Sequence, residues 1–128
     1  MSKRCILLGD FEKAVQQLSM ALASAPSSDL EKAGCIQYFE FSFELAWKCI
    51  KESSLEQGLP ECHSPKSCLK LAFSQNWIDD ETIWLKMLQA RNLMTHTYDA
   101  HDALKVYTLL SEFLAELVNL HQKLKEEF

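Results

Sequence analysis

The chain has 128 residues, 48% of them hydrophobic, which is enough for one domain with a real core and too little for two, so residues 1–128 are read as a single unit. With 18 acidic against 13 basic residues the net charge is −5, which removes any global attraction to nucleic acid and excludes an ordinary basic DNA-binding module. Any contact with RNA has to be local.

Five cysteines, Cys5, Cys35, Cys49, Cys62 and Cys68, form no CxxC pair, and their odd number fits free thiols in a reducing cytoplasm. Cys62-His63 with Cys68 does not follow a metal-ligand spacing, so no metal is expected. The first ten residues carry Lys3 and Arg4 and only a short apolar stretch. They read as neither a signal peptide nor a membrane anchor, and a soluble cytoplasmic protein is expected.

Only 3 glycines and 3 prolines occur, and no run alternates apolar with polar residues, so the fold is expected to be all helical. The first helix spans about 3–24, with Phe11, Val15, Leu18 and Leu22 forming a stripe toward a core. Ala25-Pro26-Ser27-Ser28 breaks it, and Ser28 with Glu31 three residues on has the form of a capping box. The second helix, about 29–57, holds Tyr38, Phe39, Phe41, Phe43 and Trp47 on more than one face. Ile36, Phe39, Phe43, Trp47 and Ile50 suit an internal core, which leaves Tyr38, Phe41 and Leu45 either to thicken that core or to meet a second copy. Within the same helix Glu40 and Glu44 stand one turn apart in apolar surroundings and need a partner; Glu44 can pair with Lys48 or reach Arg91.

Gly58 and Pro60 close that helix, and Ser64-Pro65 opens a short one over about 65–76 with Leu69 and Phe73 as its apolar contact. Asp79 or Asp80 caps a fourth, whose Ile83, Trp84, Met87 and Leu88 face inward and which runs into Arg91. Asp99 caps a last helix over about 100–126 with a core stripe of Val106, Leu110, Phe113, Leu117, Leu120 and Leu124. The sum is an up-down four-helix bundle with an additional short helix.

Between the last two helices, Arg91-Asn92-Leu93-Met94-Thr95-His96-Thr97-Tyr98 packs a cation, an imidazole and a phenol into eight residues. Arginine holds phosphate through its fixed fork of donors and histidine moves a proton near neutral pH. On one continuous helix Arg91 and Tyr98 lie about 20° apart, whereas His96 sits roughly 140° from Arg91. The two therefore meet only if the chain turns between about Met94 and Thr97, or if a second protomer contributes. Taken alone, each residue also has a plain structural use, as a solvated charge, a helix-end cap or an ordinary wet tyrosine.

The run from Phe39 to Lys48 (FEFSFELAWK), then Ser64-Pro65, Ala72-Phe73, Asn76-Trp77-Ile78, and Arg91-Asn92 leading to Thr95-His96-Thr97-Tyr98-Asp99, resembles the nucleotidyltransferase substrate-binding protein family, a branch of the HEPN superfamily. The resemblance covers nearly the whole chain. It implies an HEPN-like helical-bundle homodimer that works beside a separately encoded minimal nucleotidyltransferase, with no cofactor of its own. In toxin–antitoxin members the HEPN partner is a metal-independent ribonuclease with the motif Arg-x4-His-x-Tyr, matched by Arg91, His96 and Tyr98. The transferase there acts as antitoxin and adenylylates the motif tyrosine, here Tyr98. Other members are accessory subunits that bind a nucleotide or substrate for the transferase. For the ribonuclease reading, Arg91 and His96 are the catalytic pair. Asn92 orients His96 or the scissile phosphate, or is structural, and Glu44 supports Arg91.

Overall fold

The computed structural model describes residues 1–96 and 99–127, the side chains of His96 and Glu127 excepted. Five helices follow in order: α1 (Lys3–Ala23), α2 (Asp29–Glu56), α3 (Pro65–Ser74), α4 (Glu81–His96) and α5 (Ala100–Glu127), and among the described residues there is no strand. None of these helices is long and apolar enough to cross a membrane.

Each helix begins where a side chain accepts an otherwise orphaned backbone N–H. Ser28 and Glu31 form the reciprocal capping box at the start of α2, with Glu31 N donating to Ser28 Oγ at 3.0 Å. Ser64 caps α3 ahead of Pro65. At α4 the cap is Asp80, which accepts from Ile83 N at 3.2 Å. Asp99 accepts from the backbone of His101 at 2.8 Å and of Asp102 at 3.1 Å, opening α5. The exits of α2 and α3 use the left-handed conformation: Gly58 at φ 71° after α2, where glycine has no Cβ penalty, and Asn76 at φ 63° after α3.

The long helices alternate in direction. Lys3 reaches Glu52 and Arg4 reaches the carbonyl of Leu124, so α1 begins where α2 and α5 end. Arg91, late in α4, meets Glu44, and α2 and α5 run parallel with their N-terminal turns side by side around Asp29 and Ala100. An up-down four-helix bundle results, and α3 packs against α2 and α4 beside it.

The core forms where the stripes meet. Phe39 of α2 stacks on Phe113 of α5 at 5.2 Å, and Phe43 lies 6.4 Å from Trp84 of α4, so one aromatic spine ties three helices together. All four rings are at most 1% exposed, and burying each contributes about 1.5–3 kcal/mol. The α5 stripe from Val106 to Leu124 is buried throughout. Two residues are less buried than expected, and the sequence leaves a third open. Trp47 is only part-buried, packing on the core while its indole N–H donates to the Glu44 carboxylate at 3.0 Å. Phe73 is 43% exposed, since α3 turns Cys68, Leu69 and Ala72 inward and so rotates its neighbour out. Of the three surplus residues on α2, Tyr38 and Leu45 pack against the core while Phe41 stays 51% exposed.

The expectation of five free thiols is corrected. Cys62 and Cys68 form a disulfide, with their Cα atoms 5.1 Å apart. The Ser64 cap reverses the chain, so Cys62, two residues ahead of it, lies over Cys68 in the first turn of α3 and staples the helix entry covalently. This also takes both sulfurs out of any metal set. Cys5 is free and exposed, and Cys35 and Cys49 are free and buried.

Candidate functional site

α4 packs against the middle of α2 and brings Arg91 onto the carboxyl of Glu44. Arg91 is 26% exposed and Glu44 31%, so the pair is mostly withdrawn from water while one edge stays open. Oε1 of Glu44 has less than 1 Å² of exposed surface and faces the Arg91 guanidinium as its counter-charge; Oε2 accepts a hydrogen bond from Trp47 Nε1 at 3.0 Å. The other side of the guanidinium, Nη1, donates to Asn92 Oδ1 at 3.0 Å. Glu44 therefore pairs with Arg91 rather than Lys48, and Asn92 steadies the arginine. The fork of Arg91 is held between two acceptors, with its plane set by protein groups before any ligand arrives.

Glu40, one turn before Glu44, completes an acidic edge on the same face of α2. Burial pushes its carboxyl above the usual carboxylate range, Arg91 pulls it back down, and Glu44 pushes it further up. Beside Glu40 a cleft of about 200 Å³ runs between α2 and Met94, lined by Ala33, Ile36 and Gln37. It adjoins a second space of about 280 Å³ between the N-terminal turns of α2 and α5, where the Lys32 ammonium sits 5.4 Å from the centre of the Tyr107 ring. The buried thiols do not belong to this chemistry: burial pushes Cys49 up to about 12, which keeps it protonated and unreactive.

Of the sequence-derived site, Arg91, Asn92 and Glu44 come together as one cluster. The α4 helix ends at His96, within the expected range, and Thr95 Oγ1 bonds back to the Arg91 carbonyl at 2.8 Å. Because the backbone is helical through His96, that position lies roughly 140° round the axis from Arg91. The side chain of His96 and the whole of Tyr98 lie outside the described residues, and with them the expected catalytic and modification roles. Sequence reasoning assigned Trp47 to the core, against which it packs in part, and missed its bond to Glu44. The available signal was the Glu44–Trp47 spacing of three, which stacks a donor and an acceptor on one helix face.

Comparison with known proteins fits this architecture. Residues 7–126 match the family model described as nucleotidyltransferase substrate binding protein like. A Haemophilus influenzae protein named "Probable ribonuclease HepT" is 32% identical over 98 residues, covering 73% of this chain and 67% of its own. A solved structure from Thermus thermophilus superposes with a TM-score of 0.84 at 27% identity, over 91% of this chain and 99% of that one. A second solved structure, from Haemophilus influenzae, is described as revealing the fold of a substrate binding domain of a nucleotidyltransferase. It superposes with a TM-score of 0.81 at 26% identity, over 93% of this chain and 99% of that one. With a family model matched across almost the full bundle and an all-helical fold shared with both structures, the chain belongs to the nucleotidyltransferase substrate-binding family of HEPN-type helical proteins.

Proposed function

We propose that this protein is the HEPN partner of a separately encoded minimal nucleotidyltransferase, in a toxin–antitoxin pair, and that it cleaves RNA at a site built on Arg91 and His96. The observation that carries the reading is the fixed guanidinium. Arg91 is aimed by Glu44 and Asn92 yet keeps an open edge, which is what a group needs if it is to stabilise the extra charge on a phosphate in flight. The similarity to a protein named as a ribonuclease supports the same reading.

In the step proposed, one His96 takes the proton of a ribose 2′-hydroxyl, the 2′-oxygen attacks phosphorus, and the bond to the 5′-oxygen breaks. A second His96 delivers a proton to that leaving oxygen, leaving a 2′,3′-cyclic phosphate and a 5′-hydroxyl. Arg91 and His96 stand well apart around one helix, so the reading calls for a homodimer whose two motif segments share one groove. The exposed Phe41 supports such an interface. Adenylylation of Tyr98 by the transferase adds negative charge and bulk to the motif segment and silences the site. This role places the protein in the cytoplasm with its RNA.

Purified protein is incubated with RNA in chelator, beside His96→Ala. General acid–base catalysis contributes about 100- to 10,000-fold, so the variant is expected to lose cleavage by that factor. Wild-type cleavage that survives the substitution refutes the role of His96. The second reading is a non-catalytic subunit that presents a nucleotide or substrate to the transferase. It is favoured by the net charge of −5 and by the engagement of Arg91 with Glu44, and it predicts no cleavage by either protein.

A further inference from the structure

An RNA-cleaving site in a protein of net charge −5 needs a local basic surface, and the bundle has a lysine-lined groove connected to Arg91 through Trp47 and Glu44. Where the start of α1 crosses α2, Lys3, Leu7, Trp47, Lys48, Lys51 and Glu52 line a groove of about 300 Å³. Three of these six residues are lysines and one is the indole that also donates to Glu44. The groove is thus joined to the Arg91 cluster through a single side chain. Helix geometry makes the continuity explicit: relative to Glu44, residues 40, 47, 48 and 51 fall at about −40°, −60°, +40° and −20° around α2. They share one face within an arc of about 100°. Lys48 lies roughly 6 Å and Lys51 roughly 10.5 Å along the axis from Glu44, on the side away from Glu40.

We propose that this groove is the track for the single-stranded RNA flanking the scissile phosphate, with Lys48 and Lys51 meeting successive phosphates and Trp47 stacking a base. The proposal rests on the ribonuclease reading of Arg91 and names where its substrate lies. An aromatic ring set among cations is the chemistry that binds single strands without sequence preference. The lysines are available for it. Lys48 is exposed. Lys3 and Lys51 contact Glu52 and Glu61 at 3.6 and 3.5 Å, and partly exposed pairs of this kind are weak enough for a phosphate to displace. A basic cluster alone would suit an acidic protein surface equally well; the indole at its centre favours nucleic acid. The arrangement also couples substrate to catalyst, because a base stacked on Trp47 bears on the donor that holds Glu44 and, through it, Arg91.

The test uses a fluorescently labelled 2′-O-methyl octanucleotide, which has no free 2′-hydroxyl and is not cleaved, so that binding is read apart from His96 chemistry. Anisotropy titrations at several salt concentrations give the slope of log K against log salt, about 0.7 per phosphate contact for a single strand. Lys48→Ala with Lys51→Ala is expected to lower the slope by about 1.4, and Lys13→Ala with Lys105→Ala, neither of which lines the groove, to leave it unchanged. Trp77 and Trp84 are 6% and 1% exposed, so quenching by unlabelled oligonucleotide is expected to come from Trp47 and to disappear in Trp47→Phe. A wild type that does not bind, a slope unaffected by the Lys48 and Lys51 substitutions, or one lowered equally by the control pair overturns the track. If those lysines instead serve a protein partner, their loss weakens co-purification of the transferase with no change in RNA slope, which also overturns it. A wild type that cleaves RNA with a lysine-independent slope refutes the track alone. One that binds as predicted yet never cleaves refutes only the catalytic reading.

Discussion

Removing the charge of Glu44 while keeping its shape is the sharpest probe of the Arg91 cluster. Glu44→Gln retains an oxygen to accept from Trp47 Nε1 but takes away the counter-charge of the guanidinium. At an effective dielectric near 20 two charges about 4 Å apart attract by about 4 kcal/mol, and desolvation offsets much of that. Fully exposed pairs retain about 0.2–1 kcal/mol, whereas truncating one partner of a fully buried pair costs about 3–5 kcal/mol. With Arg91 and Glu44 roughly a quarter and a third exposed, the pair falls between these limits. A coupling of about 1–2 kcal/mol is expected from a double-mutant cycle of Glu44→Gln and Arg91→Met followed by urea unfolding. Glu44→Ala also strips the acceptor from Trp47, a charge-assisted bond that adds about 1.5–3 kcal/mol to the loss. Coupling below about 0.5 kcal/mol, the range in which independent sites add, refutes the claim that Glu44 holds Arg91. Equal losses for Glu44→Gln and Glu44→Ala refute the part assigned to Trp47.

Glu40 gives a pH signature. Its folded carboxyl is held above the ordinary value of 4.5, chiefly by burial, so the native chain binds more protons than the unfolded one as pH rises from 4.5 through the raised value. Stability therefore falls across that window and the effect is absent below it, and Glu40→Gln is expected to gain on wild type as pH increases. Unfolding curves whose difference is flat from about pH 4 to 8 contradict this assignment. The disulfide is checked by counting thiols: alkylation of denatured, unreduced protein is expected to modify Cys5, Cys35 and Cys49 alone, and all 5 cysteines after reduction. Closing so short a loop stabilises by about 2 kcal/mol on the chain-entropy model, so reduction is expected to lower the melting temperature by several degrees. Alkylation of all five without reductant rules the bond out.

The sequence by itself determined the helices, their order and most of the core, because these rest on short-range physics. Ser28 with Glu31, Ser64 with Pro65, and Asp99 announce helix starts through hydrogen bonds spanning three residues, and the α5 stripe repeats at the helical period. The same local rules placed Arg91, Asn92 and Glu44 on helices that had to pack together. Which residue Glu44 meets was settled only by tertiary structure, since Lys48 is one turn away along α2 while Arg91 arrives from another helix across 47 positions of sequence. The lysine groove between α1 and α2 follows the same logic: Lys3 and Lys51 are 48 residues apart, and only the antiparallel packing of two helices sets their charges side by side in a protein that is acidic overall.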